Sequence, residues 1–465
     1  MSMFTHNDKH FRPSGASNLI VLVMYLVTFL LSQPPTSPAS DQIPARKQQH
    51  PIAIIGATIH PVSGADIEKG TIVFQKGIIT AVGVQANVPQ GAEIINGSGK
   101  HVYPGLISAD TYIGLIEIGA VRATNDRTET GRINPNVRAE AAFNPESELI
   151  PVARANGITM IVTAPSGGLI TGTSALMIMD GWTWEEMTFK APAALNVNWP
   201  TMVISRAPRM RKTEEEQKKD REKAIQELAD AFRDARAYLT AKKSEQQKGV
   251  PYHDVDMRWE AMIPVLEGKV PVVVWANEIQ QIQAAVAWAE QEKVKLIIGG
   301  GADAWRIAEI LSQKKIPVLV GGTHRLPFHR FDEYDDAFTL PVKLQMAGVQ
   351  FAIISKDEAP HERNLPYHAA TAAAYGLPKE EALKAITLYP AQIFGVADRV
   401  GSLEVGKDAT LILTSGPEEF GAGDPLEITS QVDMEFIQGR KIDLTSRHTM
   451  LYEKYKEKYR RSKGQ

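Results

Sequence analysis

The chain lacks cysteine altogether, since none of its 465 residues is one. This absence excludes disulfides, thiolate metal sites, cysteine nucleophiles and the lipid attachment of bacterial lipoproteins. An excess of either charge is lacking too: 51 lysines and arginines stand against 54 aspartates and glutamates, a formal net charge of −3. The charge balance therefore gives no electrostatic reason to expect nucleic acid as a partner. The length suits one large domain with a smaller module.

Long apolar runs are scarce, and the one that stands out lies near the N-terminus. Residues 19–31 form an apolar run of about 13 residues, which is short for a bilayer span of roughly 20 residues but typical of a signal-peptide core. Ser37 and Ala39 follow it as small residues suited to cleavage after Ala39. We therefore predict that residues 1–39 are a signal peptide and that the protein is exported to the periplasm or the extracellular space. The alternative is an uncleaved anchor at residues 19–31, and only in that case do we expect a membrane as a partner.

The rest of the chain divides by the texture of its sequence. Residues 40–50 are a linker, the last part of a polar, Pro-rich stretch from 34 to 50. Short β-branched segments with glycine turns occupy residues 51–102 and return at residues 400–445, and this texture is typical of antiparallel strands. Two such segments at opposite ends of a chain can pair into one small β-sandwich. Between them, residues 103–399 alternate strand-like and helix-like segments, which predicts an α/β fold with a (β/α)₈ barrel, and residues 446–465 form a C-terminal tail.

Six strands of this barrel are clear in the sequence, and two are not. The stretch from 165 to 200 is rich in glycine and tryptophan and is hard to assign, so we expect the remaining strands there. We expect the sheet to be parallel, because helical patterns separate the later strands. The charge-dense residues 207–248 carry an apolar stripe at helical spacing, which favours an amphipathic surface helix over a helix that binds a partner.

Three stretches resemble a known family. Residues 102–112 are similar to the first barrel strand of the metal-dependent amidohydrolases, which usually reads xxPGxIDxHxH, and they keep its Tyr103-Pro-Gly-Leu-Ile107 part. Residues 382–391 and 395–409 resemble later segments of the same family, the second of which, "iGSLepGKdADlv", returns the chain from the barrel to the β-sandwich. The resemblance covers roughly residues 52–441.

Within this family, the chain most resembles the imidazolonepropionase-like branch. Residues 116–125 also resemble secreted members that carry two amidohydrolase-related domains, one of which is often degenerate. Active members of the lineage hydrolyse C–N bonds of cyclic amides, ureides or peptides. A fold shared with such enzymes does not by itself establish their activity.

The resemblance implies a metal site whose ligands are missing. Family members hold one or two metals at the C-terminal ends of the barrel strands, where the metal activates water and polarises the scissile carbonyl. The ligands are usually two histidines after strand one, a histidine ending strand five, a histidine ending strand six and an aspartate ending strand eight. This chain has at these positions, in order, Asp110, Tyr112, Trp275, Gly300 and Lys356.

These substitutions remove the chemistry of the site. A glycine has no donor, the tryptophan N–H cannot ligate, and an ammonium repels a cation. A shift of one residue would place Asp357 at the fifth position instead of Lys356. We therefore predict that the usual metal site and its cofactor are absent and that the protein is a pseudoenzyme.

Two hypotheses describe what replaces the metal. In the first, Lys356 pairs with Asp110 as an internal substitute for the charge of the metal, while Trp275 fills its volume. In the second, an active site is rebuilt: His324, Asp357 and His361, in the loops after strands seven and eight, converge on one divalent metal, Zn or Mn. A variant of the second hypothesis makes a desolvated Lys356 the base or the Schiff-base nucleophile.

The resulting prediction concerns both function and partners. The chain is expected to act as a binding or scaffold subunit for an active amidohydrolase paralogue, by analogy with the two-domain secreted members. The alternative is an active hydrolase of C–N bonds with a rebuilt, non-standard site. A small molecule bound at the emptied barrel mouth is compatible with either.

Overall fold

The computed structural model describes residues 42–207, 209–244, 254–356, 358–420 and 423–463. The predicted signal segment lies outside these residues, as does Asp357. The strands, in chain order, are β1 Ile52–Ile59, β2 Ile67–Gln75, β3 Ile78–Gly83, β4 Glu93–Asn96, β5 His101–Pro104, β6 Leu106–Thr111, β7 Ile158–Thr163, β8 Ile170–Ile178, β9 Thr188–Asn198, β10 Val272–Ala276, β11 Leu296–Gly300, β12 Val318–Val320, β13 Phe351–Ile353, β14 Leu411–Ser415, β15 Gln431–Ile437 and β16 Arg440–Lys441.

Helices connect most of the later strands. They are α1 Leu149–Arg154, α2 Trp184–Met187, α3 Glu214–Ser244, α4 Met257–Leu266, α5 Ile279–Glu292, α6 Ala308–Gln313, α7 Asp336–Met346, α8 Leu365–Ala374, α9 Lys379–Lys384, α10 Leu388–Ile393 and α11 Arg447–Ser462, with short 3₁₀ turns at Arg122–Thr124, Ala139–Ala142, Ala304–Ile307, Ala359–Asn364 and Glu418–Phe420. Within the described ranges, no helix is long and apolar enough to cross a membrane.

The two ends of the chain build one sheet, as the sequence predicted. Its strand order is β16-β15-β14-β5-β1-β2-β3, with β4 also paired to β1. The sheet folds back on itself around its own apolar core, because Phe74 on β2 meets Phe436 on β15 edge to face at 5.0 Å although several strands separate them in the sheet. The composite β module formed by both chain ends is therefore confirmed.

The second sheet is the predicted barrel, with one strand reversed. Its order is β6-β7-β8-β9-β10-β11-β12-β13, and β8 and β9 lie in the stretch that was hard to assign. Strand β8 runs antiparallel to both of its neighbours, whereas the prediction was a parallel sheet. The short connections explain this: residues 164–169 and 179–187 are fewer than the dozen or so residues that a parallel crossover needs.

The barrel is closed by backbone that belongs to neither edge strand. The amide of Ile107 on β6 donates to the carbonyl of Ile386 at 2.8 Å, and the amide of Ile353 on β13 donates to the carbonyl of Ala385 at 3.0 Å. These two carbonyls belong to the stretch 382–391, one of those that carry the family resemblance. The segment that follows α9 therefore bridges the first and last strands of the barrel.

The long charged helix α3 packs as the amphipathic pattern predicted. Its buried residues are Ala224, Leu228, Ala231, Phe232 and Ala235, which recur at helical spacing. Phe232 meets Trp288 of α5 edge to face at 5.0 Å, so the apolar stripe joins the core of the barrel. The remaining face of the helix carries its charges to solvent, which favours the surface-helix interpretation.

A buried charge cluster joins the barrel to the small sheet. Asp180, which follows β8 and is 3% exposed, accepts from Arg154 of α1 at 3.3 Å and lies 3.0 Å from Arg440 of β16. Glu435 of β15 is fully buried nearby, and neither of its oxygens has a hydrogen-bond partner among the described residues. Burial raises the pKa of Glu435 well above its usual value, although Arg154 acts in the opposite direction.

We predict that Glu435→Gln makes the protein more stable and that the gain grows with pH. Because the pKa of Glu435 is raised by folding, the folded state keeps its proton longer than the unfolded chain, and its stability falls as pH rises above about 4, the pKa of an unfolded glutamate. The variant has no titrating carboxyl at this position. The free energies of unfolding of the parent and of the variant should therefore agree near pH 4 and diverge by up to about 1.4 kcal/mol per pH unit above it. Urea denaturation between pH 4 and 8 measures this difference.

The matched control is Glu453→Gln on the exposed helix α11. Its stability should follow that of the parent across the same pH range. Parallel curves for the parent and Glu435→Gln would contradict the assignment of Glu435 as a carboxyl that is protonated in the folded state.

Candidate functional site

The mouth of the barrel collects the residues at the five ligand positions. Asp110 lies near the end of β6, Trp275 near the end of β10, Gly300 at the end of β11, and Lys356 follows β13. These strands run in one direction, so their carboxyl ends meet at one rim, the end at which barrel enzymes carry their active sites. Tyr112 follows β6 at the same rim.

The predicted contact between Asp110 and Lys356 is present. Nζ of Lys356 lies 2.8 Å from Oδ2 of Asp110, and it stands 3.5 Å from the centroid of the Trp275 ring and 5.6 Å from that of Tyr112. The Asp110 side chain is 5% exposed and that of Lys356 is 36% exposed, so solvent reaches part of the lysine side chain but hardly reaches the carboxylate. The pair is an ion pair with a cation–π contact on one side.

The charge state of Lys356 follows from these neighbours. Burial alone would lower the pKa of Lys356, but the carboxylate of Asp110 and the hydroxyl of Tyr112 outweigh it and hold this pKa above its usual value. Lys356 therefore remains an ammonium at neutral pH. Its backbone has φ 51°, in the left-handed region, which costs a non-glycine residue about 1–2 kcal/mol.

Trp275 and the glycines of β11 fit each other. Trp275 is paired in register with Gly299, and a Cβ at position 299 would lie 2.7 Å from the indole ring. Gly300 has φ 87°, and a Cβ there would lie 2.4 Å from Oδ1 of Asn277. The indole thus occupies the space that side chains of β11 would need. A histidine at position 300 is excluded by both the backbone conformation and the neighbouring amide.

The residues present do not fit the metal that the family implies. Asp110 is the one carboxylate among the five positions, and its Oδ2 already accepts from Lys356. Trp275 and Gly300 offer no lone pair, and the ammonium of Lys356 would repel a divalent cation at hydrogen-bond distance from the remaining ligand. The site is arranged around an internal cation instead.

A second buried carboxyl lies beside this pair. Glu362, in the 3₁₀ turn before α8, is 1% exposed and accepts from Oγ of Ser108 at 2.7 Å and from Oγ of Ser355 at 2.8 Å. Burial raises its pKa to about 7, with Asp110 adding to the shift, while the hydroxyl groups oppose it. The sequence gave no sign that Glu362 is buried. The two serines that hold it were not singled out.

Two of the three residues predicted to form a rebuilt site, His324 and His361, lie within the described residues. His324 is exposed: its Nε2 lies 2.8 Å from Oγ1 of Thr371, and its ring packs at 4.1 Å on the buried His368. His361 is exposed on the turn Ala359–Asn364, and Asp357 lies outside the described residues. In the part of the chain that is described, no group of three or more histidine and carboxylate side chains is arranged to hold a metal ion.

A charge network that the sequence did not reveal holds the loop after β12. Asp303 is 3% exposed and accepts a hydrogen bond from Nε of Arg306 at 3.0 Å, while Nε2 of His329 lies 3.0 Å from its carboxylate. Arg306 also donates a hydrogen bond to Asp332 at 3.3 Å. Burial opposes ionisation of Asp303, but these hydrogen bonds and one from a backbone amide hold its pKa below the usual value. The network pins the loop of residues 324–335 to the neighbouring loop after β11.

Comparisons with known proteins bear on the family and the fold of the chain. A model of the Amidohydrolase family matches residues 341–443, which contain the stretches 382–391 and 395–409 but not the loops after β6, β10 and β11. The amidohydrolase tasK of Hapsidospora irregularis is 21% identical over 396 residues, 78% of this chain and 40% of that protein. The chain thus spans well under half the length of this relative.

Solved structures share the fold over most of the chain. The crystal structure of an amidohydrolase from Thermotoga maritima is 28% identical and superposes with a TM-score of 0.73, over 84% of this chain and 99% of that one. Molinate hydrolase is 16% identical with a TM-score of 0.53, over 85% of this chain and 95% of that one, and shows the same fold.

We predict that Lys356→Met destabilises the protein and that adding Asp110→Leu recovers much of the loss. The single change leaves a buried carboxylate without its cation. We expect it to cost about 2 kcal/mol, between the roughly 0–1 kcal/mol of an exposed pair and the 3–5 kcal/mol of a fully buried one, because Lys356 is partly exposed. Urea denaturation of the parent, both single variants and the double variant gives the coupling energy.

Lys456→Met serves as the control, because Lys456 pairs with Glu453 at 3.4 Å on the exposed helix α11. This change should alter the free energy of unfolding by less than about 0.5 kcal/mol. Strictly additive losses in the double variant would show that Asp110 and Lys356 do not depend on each other.

Proposed function

Because the chain belongs to the amidohydrolase superfamily, we propose that it is a catalytically silent member that serves as a binding subunit for an active amidohydrolase. The observation that carries the first half of this proposal is the ammonium of Lys356, 2.8 Å from the carboxylate of Asp110 at the mouth of the barrel. This ammonium is part of the protein itself and already supplies the positive charge that a metal would bring. Such a site has no means of lowering the pKa of a water molecule to the neutral range.

The alternative of a lysine-based enzyme is less well supported. A Schiff-base or general-base lysine must lose its proton, and it does so where its pKa is lowered by burial or by other cations. Here the pKa of Lys356 is raised, and Asp110 and the Trp275 ring both stabilise the charged form. The alternative of a relocated metal requires His324 to leave Thr371 and to meet His361, a contact absent from the described residues.

The second half of the proposal rests on an exposed apolar surface. The loop after β12 presents four large apolar side chains to solvent: Leu326 (86% exposed), Phe328 (42%), Phe331 (76%) and Tyr334 (72%). We call these four residues the aromatic loop. The Asp303 network holds the loop in place, and the ring of His329 stacks on Phe331 at 4.8 Å. An ordered apolar patch of this kind typically marks a protein interface.

We take an amidohydrolase as the partner by analogy with the secreted members that carry two amidohydrolase-related domains, and the relative tasK is much longer than this chain. This chain covers 40% of its length, so more than half of that protein lies outside the matched region. We propose that a separate amidohydrolase with intact metal ligands docks on the aromatic loop. A small molecule at the barrel mouth, against the open face of Lys356, is the second candidate partner, and we propose that the protein works after export.

We predict less than about a tenth of an equivalent of metal in the purified protein after exposure to zinc, manganese and iron. Elemental mass spectrometry measures the content after removal of free metal. The physical reason is the repulsion between a divalent cation and Lys356 at the one remaining ligand. Near one equivalent, abolished by His324→Ala or His361→Ala, would mean that the site has moved rather than disappeared. Hydrolysis of C–N bonds would then be the property to test.

We also predict that the aromatic loop carries the contact with the partner. The test mixes this protein with an amidohydrolase of the same genome that keeps an HxH motif, and light scattering after size exclusion measures the complex. Leu326→Ser with Phe331→Ser should weaken binding at least about 30-fold, since interface anchors contribute roughly 2 kcal/mol or more together. Met346→Ser with Ile428→Ser removes equally exposed side chains elsewhere (81% and 77%) and should leave the affinity unchanged. Equal effects of both pairs, or no complex with the parent, would contradict the role of the loop.

A further inference from the structure

The opposite end of the barrel carries a cavity of about 650 Å³. It lies where four neighbouring strands, β9 to β12, begin. The residues that mark these starts are Lys190, Pro271, Lys295 and Pro317. Because the four strands are parallel, their starts meet at one rim, opposite the rim that holds the Asp110–Lys356 pair. The cavity is therefore separate from the site described above.

Positive charge dominates the lining of this cavity. Six lysines contribute to it, against the single carboxylate of Glu290: Lys190, Lys269, Lys293, Lys295, Lys314 and Lys315. Glu290 pairs with Lys314, and Lys269 pairs with Glu267 at 2.8 Å. Among the described residues, Lys293, Lys295 and Lys315 have no carboxylate within ion-pair distance. At least three cations of the cavity thus remain uncompensated by the described residues.

Helix ends explain only part of this charge. Lys293 ends α5 in the left-handed conformation, where the helix dipole stabilises a cation, and Lys315 takes the same conformation after α6. That account does not extend to Lys190, which lies on a strand, or to Lys295, which directly precedes one. The two converge on the cavity from different parts of the chain.

Lys190 is the lysine that lies deepest in the wall of the cavity. Its Nζ donates to the carbonyl of Phe394 at 2.7 Å, inside the cavity wall. Burial lowers the pKa of Lys190 and the charge of Lys295 lowers it further, while Asp398 acts in the opposite direction. Apolar side chains, among them Val286 and Ile316, complete the wall. Cations of one sign between apolar walls concentrate the electrostatic field and attract an anion.

We propose that this cavity binds a small polyanion of the phosphate class. Its volume lies within the roughly 300–1,000 Å³ of pockets that hold small ligands. Three lysines without carboxylate partners match the two or three negative charges of such a group. Binding relieves the repulsion between Lys190 and its neighbours. The proposal does not depend on the proposed function, because no residue of the aromatic loop or of the barrel mouth takes part.

The test is isothermal titration of the purified protein with inorganic tripolyphosphate at low and at moderate salt. We expect saturable binding at one site that weakens as ionic strength rises. The variant Lys295→Gln with Lys315→Gln should lose at least about tenfold in affinity, since it removes two of the positive charges that line the cavity. The charge-preserving Lys295→Arg with Lys315→Arg should retain most of it. Thermal denaturation of each variant establishes that it is folded.

The control variant removes the same charge elsewhere. Lys454→Gln with Lys458→Gln alters two exposed lysines of α11, a helix that is distant in sequence from the starts of β9 to β12. This variant should change the affinity for tripolyphosphate less than about twofold. Equal weakening in both variants would show attraction by overall charge and no site. Absence of binding to tripolyphosphate overturns the proposal, and binding only to phosphatidylglycerol vesicles would replace it with a membrane-facing surface.

Discussion

The ion pair between Asp110 and Lys356 is the interaction around which the barrel mouth is organised. The rim contains two nearly inaccessible carboxyl groups, Asp110 and Glu362, and a carboxylate in such a place needs a counter-charge or a proton. Lys356 supplies the charge for Asp110. Glu362 instead accepts hydrogen bonds from two serine hydroxyls, and its pKa is raised to about 7, which favours the protonated form. Burial is thus compensated by a counter-charge at Asp110 and by a raised pKa with two hydrogen bonds at Glu362.

The pair also accounts for the other substitutions at this rim. Once an ammonium stands there, the aromatic face of Trp275 is a better neighbour than a second cation or a metal ligand, because it stabilises positive charge. The indole in turn requires Gly299, and Gly300 takes a conformation that a histidine would resist. The changes on β6, β10, β11 and β13 are therefore coupled by contact. Restoring one metal ligand alone would meet a clash or a repulsion from the others.

Sequence reasoning reached the fold and the centre of this site because both depend on local patterns. The Pro-Gly stretch at 104–105 and the stretch 395–409 fixed the order of the elements, so Asp110 and Lys356 could be placed at the ends of two strands that meet. The antiparallel direction of β8 was not predicted, because strand direction follows from the length of the connecting loops rather than from residue type. The burial of Glu362 and the Asp303–His329 contact escaped because they depend on side chains brought together from separate loops. The lysines of the opposite rim were likewise visible only as scattered charges.

The two ends of the barrel carry charge differently. A strand such as β10 has five residues, so about 16 Å separates its ends, and the charged groups of one rim are not in contact with those of the other. At one end the ammonium of Lys356 is matched by Asp110, while at the other end three lysines have no carboxylate within ion-pair distance among the described residues. A cation matched by a carboxylate has no need of an ion from solution, whereas unmatched cations gain by taking up an anion. If the barrel has lost its hydrolytic metal, its remaining capacity to bind a small charged ligand is therefore expected at the end where the strands begin.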